Sequence, residues 1–72
     1  MSEEISRGAI KVIEVIGVSD TSWEDAAHQA VSKAAETIDA ITGVEVLRWT
    51  ARISEGRIVQ YNADVKLAFV VR

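Results

Sequence analysis

The chain has 72 residues, a formal net charge of −3, no cysteine and a single histidine. This length is one domain, and a domain this small buries only about 60% of the surface of its unfolded chain, so its core is thin. Disulfides are excluded, a zinc site has too few ligands, and the acidic balance leaves no basic footprint for nucleic acid or an anionic membrane.

Assembly is the remaining stabiliser. Half of the residues are apolar (49%), more than so small an interior can hold, which predicts a homo-oligomer whose subunits cover one another's apolar side chains. No long apolar run marks a secretory signal or a membrane span, and the expectation is a cytoplasmic protein.

In chain order, residues 1–8, "MSEEISRG", show no period and read as a loosely held arm before a single domain over 9–72. "AIKVIEVIG", 9–17, is rich in β-branched residues and ends at glycine, as a strand does. Lys11, Ile13 and Val15 share one face and Val12, Glu14 and Ile16 the other, so both faces call for cover. Ser22 with Asp25, or Thr21 with Glu24, then has capping-box spacing. Ala26, Ala27, Ala30, Val31, Ala34, Ala35, Ile38 and Ile41 continue at helical spacing, which predicts a helix over roughly 20–41. Its apolar stripe is mostly alanine and permits close approach to a sheet, and Gly43 supplies a stop.

Residues 43–54 and 57–71 are two strand patterns joined by "SEGR", in which Gly56 suits a tight hairpin. In the last strand Val59, Tyr61, Ala63, Val65, Leu67, Phe69 and Val71 form an apolar face. The order is β-α-β-β, an α+β fold with a three-stranded antiparallel sheet wrapped around one long helix. A turn centred between Glu55 and Gly56 places Trp49 across from Asn62, Leu47 across from Asp64 and Glu45 across from Lys66. Gly43 and Trp49, six residues apart, then share a face with Asn62 that the helix does not cover.

The chain as a whole resembles the dodecins, small flavoproteins with a β-α-β-β protomer that assemble into hollow dodecamers. The residues that carry the resemblance are "KVIEVIGVSDTSWEDAAHQAVSKA", "GVEV" in place of a Trp-Phe-Glu-Val segment, and "EGRIVQYNADVKLAF". The resemblance implies a homododecamer that binds flavin, riboflavin or FMN, as stacked pairs between symmetry-related tryptophans, with a glutamine at the polar ring edge. The tryptophan position falls on Gly43 and the glutamine position on Asn62. A lost stacking ring removes roughly 1–3 kcal/mol by analogy with base stacking on aromatics.

Asn62, Gly43, Glu45 and Trp49 are therefore the candidate flavin-site residues. Trp49 is either a displaced stacking ring or an inter-subunit contact, and the contact is favoured because six strand residues span about 20 Å. Trp23 is expected to pack on the sheet, His28 to be a surface or interface histidine, and Glu24, Asp25, Glu36 and Asp39 to be helix-surface charges. Arg48, Arg52 and Arg57 suit inter-subunit ion pairs better than a ligand phosphate.

No nucleophile–base pair, phosphate loop or framed carboxylate pair appears, and no enzyme is expected. The resemblance also carries an alternative, since some dodecin-like proteins without the stacking tryptophan bind calcium. No loop here has EF-hand spacing, so calcium would need acids gathered by subunit symmetry. The leading expectation is a shell that sequesters a flavin or another small flat ligand; the rival is a structural or cation-binding cage.

Overall fold

The computed structural model describes residues 7–71, and all but two residues of the expected N-terminal arm lie outside them. Strand β1 spans Ala9–Ser19, helix α1 Trp23–Ala35, strand β2 Ile41–Ser54 and strand β3 Arg57–Val71. The sheet order is β1-β3-β2, with both pairings antiparallel. The expected β-α-β-β order and three-stranded sheet are both present.

α1 starts where its cap dictates. The Ser22 hydroxyl accepts a hydrogen bond from the Asp25 backbone N–H at 3.0 Å, Glu24 and Asp25 occupy the first turn, and Lys33 the last. The helix ends six residues before the position expected from the alanine period. Its last turn tightens as the Glu36 and Thr37 N–H groups reach back three residues to the carbonyls of Lys33 and Ala34. Ala40 then takes a left-handed φ of 60°, and β-branched Ile41 and Thr42 open β2. Gly43 is not the helix stop; it lies inside a strand.

Small side chains hold the helix against the sheet. Ala26 and Ala30 of α1 are buried on Ala63, Val65 and Leu67 of β3, with Ile13, Val15, Val46 and Tyr61 around them. The tightest approach is at Gly17 of β1, where a Cβ would stand 2.9 Å from the Ala30 Cβ and would collide with the Ala26 carbonyl oxygen. The odd-numbered β3 residues thus face the helix, as the sequence period requires.

Thirteen helical residues cover about 20 Å, whereas fifteen strand residues run about 50 Å. The described chain is accordingly elongated, 52 × 19 × 18 Å. The β2–β3 hairpin closes through Glu55 and Gly56, both at positive φ (52° and 74°), the paired left-handed geometry of a two-residue turn matched to strand twist. No helix among the described residues is long and apolar enough to cross a membrane.

Candidate functional site

The face of the sheet away from α1 is built in rows across the strands. Val12, Ala68 and Gly43 form one row; Glu14, Lys66 and Glu45 the next; then Ile16, Asp64 and Arg48; then Val18, Asn62 and Thr50. The Glu45–Lys66 pairing is the one expected from sequence. The expected pairings of Leu47 with Asp64 and Trp49 with Asn62 are replaced by Arg48 with Asp64 and Trp49 with Ala63.

Two irregularities bound the displaced segment, 48–52: β3 carries Val59 as an extra residue between the Arg52–Gln60 and Ile53–Ile58 pairs, and Leu47 on β2 restores the expected register. Between Val46, opposite Val65, and Arg48, opposite Asp64, β2 carries Leu47 as an extra residue. An inserted residue in a period-two strand reverses the faces beyond it, here as far as Arg52. Gly43 lies opposite Ala68 on the outer face, and Trp49 lies opposite Ala63 on the helix face. The four residues expected to share a site are therefore divided. Gly43 and Glu45 are close together on the outer face, whereas Asn62 is six residues along β3 from the partner of Gly43, about 20 Å away. Asn62 itself accepts a 2.8 Å hydrogen bond from the Gln60 side-chain amide. Gly43 is exposed, and a Cβ there would meet only the Ala68 Cβ at 3.8 Å, ordinary contact, so a side chain is not excluded on steric grounds.

The centre of the outer face holds a charge constellation. Asp64 is 6% exposed, and its Oδ2 accepts from Arg48 Nε at 2.9 Å, while its Oδ1 meets no nitrogen or hydroxyl donor and has only a proton on the Glu14 carboxyl to share. Glu14, diagonal to it on β1, has its carboxyl pushed above the ordinary value, first by a hydrogen bond to Asp64, then by the Asp64 charge and by burial, against the opposing charges of Arg48 and Lys66. Arg48 is thus engaged within its own protomer. Neither Glu14 nor Asp64 stood among the sequence candidates. The available signal was an acid set between apolar neighbours in each strand, Ile13-Glu14-Val15 and Ala63-Asp64-Val65.

Around this constellation the outer face of β1 is apolar and bare: Ile10, Val12, Ile16 and Val18 are 49–61% exposed. The sequence expectation that β1 needs cover on both faces is met by α1 on one side only. On the helix face Trp49 lines an open groove of about 600 Å³ with Ser22, Trp23 and Glu24. Trp23 packs as expected, its ring edge-on to Tyr61 with centroids 4.8 Å apart and its Nε1 donating to the Thr50 carbonyl at 2.7 Å. His28 is exposed, and no cluster of three or more His, Cys, Asp or Glu able to hold a metal occurs among the described residues of one protomer.

The family model for Dodecin matches residues 9–72. The chain belongs to the dodecin family. A curated relative, the calcium dodecin of Mycobacterium tuberculosis, is 34% identical over 62 residues, covering 86% of this chain and 87% of the relative. Dodecin from Streptomyces coelicolor superposes with a TM-score of 0.91 at 26% identity, over 94% of this chain and 97% of its own. A crystal structure of calcium dodecin from M. tuberculosis, described as calcium-chelating with a novel calcium-binding site, gives 0.80 at 35% identity over 90% and 93%. The dodecin fold and the bare outer face agree: this protomer is shaped to be covered by copies of itself.

Proposed function

We propose that the chain forms a dodecin-type homo-oligomeric shell in the cytoplasm that binds a divalent cation, calcium, rather than a flavin. The observation that carries this reading is the Asp64–Glu14 carboxyl pair, in which Asp64 Oδ1 is buried with no cation against it and only a proton on Glu14 to share. A buried anionic oxygen costs stability until something positive meets it. Arg48 supplies one cation, to Oδ2 alone.

Calcium takes six to eight oxygens, and one protomer offers two neighbouring carboxylates here. Copies of the chain brought together by the apolar Ile10, Val12, Ile16 and Val18 stripe would have to supply the rest. The relative described as calcium dodecin, matched in sequence and in structure, supports the same cation. The flavin reading rests on the family alone: the stacking position is Gly43, and Trp49 lies on the opposite face from it.

Calorimetric titration of calcium into the assembled, metal-free protein tests the proposal. Saturable binding is expected, weakened roughly tenfold or more by Asp64→Asn, which keeps the shape and removes the charge. Because Glu14 holds its proton to a higher pH than an ordinary glutamate, affinity falls as pH drops through that raised value. Absence of binding, or wild-type affinity in Asp64→Asn, would contradict the assignment.

A further inference from the structure

The groove between Trp23 and Trp49 is used neither by the outer-face acids nor by the apolar stripe. One wall is rigid, since Trp23 is fixed by its bond to the Thr50 carbonyl and by Tyr61. The other wall, Trp49, is 49% exposed, and among the described residues the two indoles form no aromatic pair, although both line the same space of about 600 Å³. Trp49 has no aromatic partner among the described residues, so its π-faces are open to an occupant of this space.

The polar groups at this groove select the charge of an occupant. The Ser22 hydroxyl already accepts from the Asp25 N–H. Glu24 is exposed and makes no ion pair among the described residues. The N-terminus of α1 contributes about half a positive charge, which Glu24 and Asp25 in the first turn outweigh. Indole faces attract cations through the ring quadrupole, and the Glu24 carboxylate has the same preference. An anion meets repulsion from both. Calcium would find one carboxylate where it needs several oxygens. A weakly hydrated cation with apolar substituents suits both the rings and the carboxylate.

We infer that the Trp23–Trp49 groove binds an organic cation of the quaternary or methylated ammonium class. This site lies on the helix face, and its test is independent of calcium. Trp23 and Trp49 are the chain's two tryptophans, so emission excited selectively in the indoles, away from Tyr61, reports on the walls of this groove.

The experiment titrates the assembled protein with choline and, in parallel, with 3,3-dimethylbutan-1-ol, its uncharged isostere. Choline is expected to change the emission saturably and the alcohol to bind at least roughly tenfold more weakly. Trp49→Leu, which keeps apolar bulk and removes the ring, and Glu24→Gln are each expected to weaken choline by roughly 5- to 10-fold, with Trp23 still reporting. Acrylamide is expected to quench both indoles of the assembly in the absence of choline. Equal binding of alcohol and choline would overturn the inference, as would unchanged affinity in both variants. So would assembled protein whose Trp49 acrylamide cannot reach, because a second copy then fills the space.

Discussion

The two faces of the sheet are finished to different degrees. The helix face is closed within one chain: Ala26 and Ala30 lie on Ala63, Val65 and Leu67, and Gly17 admits the helix backbone where no Cβ fits. The outer face carries apolar side chains on β1 with nothing of its own chain over them, and at its centre lies a buried aspartate with one oxygen that no cation meets. The difference teaches how a 72-residue chain divides its stability. Small residues complete one side locally, and the other side is left for partners.

The largest effect should come from breaking the closed side. Gly17→Ala drives a Cβ into the Ala26 carbonyl oxygen, and backbone does not yield as a side chain does. A loss of about 3 kcal/mol in urea denaturation is expected, with the helix displaced from β1. A loss below about 0.5 kcal/mol would mean that the approach is looser than described.

The open side breaks differently. Val12→Asp, at a position 50% exposed in the single chain, should leave the helix face intact and release the protomer from the assembly, read as a shift to low mass in size-exclusion chromatography with light scattering. If the variant keeps the wild-type mass, the β1 stripe is not the subunit contact.

The smallest effect sharpens the centre of that face. Glu14 has a raised pKa, so the folded protein holds its proton more tightly than the unfolded chain does, and this group's contribution to stability falls as pH rises through the window between the two values. Glu14→Gln therefore should not lower, and should slightly raise, the melting temperature of the calcium-free protein at pH 7. The difference should vanish below the ordinary carboxylate range. A destabilisation at pH 7 that persists in acid would assign Glu14 a packing role instead.

Much of the fold was readable from residue types. β-Branched runs located β1 and β3, Ser22 and Asp25 located the helix start, and Glu45 with Lys66 identified a true cross-strand pair. The helix end was not, because Ile38 and Ile41 continue the helical spacing past Ala35, where the backbone turns through a left-handed Ala40.

The site was less legible still. Leu47 and Val59 are unremarkable apolar residues, and a bulge leaves no mark in composition. Together they nevertheless send Trp49 to the helix face and bring Arg48, rather than Leu47, to Asp64. Nor does either strand alone reveal that Glu14 and Asp64 meet, since β1 and β3 pair from opposite ends of the chain. The resemblance to dodecins supplied the family and the expectation of a stacking position at Gly43, whereas the acids of the outer face appear only once the three strands are assembled.

One paired measurement bears most directly on the central claim. The assembled wild-type protein is titrated with calcium by calorimetry and with riboflavin by quenching of flavin fluorescence, with Gly43→Trp carried through both. Saturable calcium binding and no flavin quenching are expected in the wild type, with quenching gained in Gly43→Trp. Tight riboflavin quenching by the wild type with no uptake of calcium would contradict that claim.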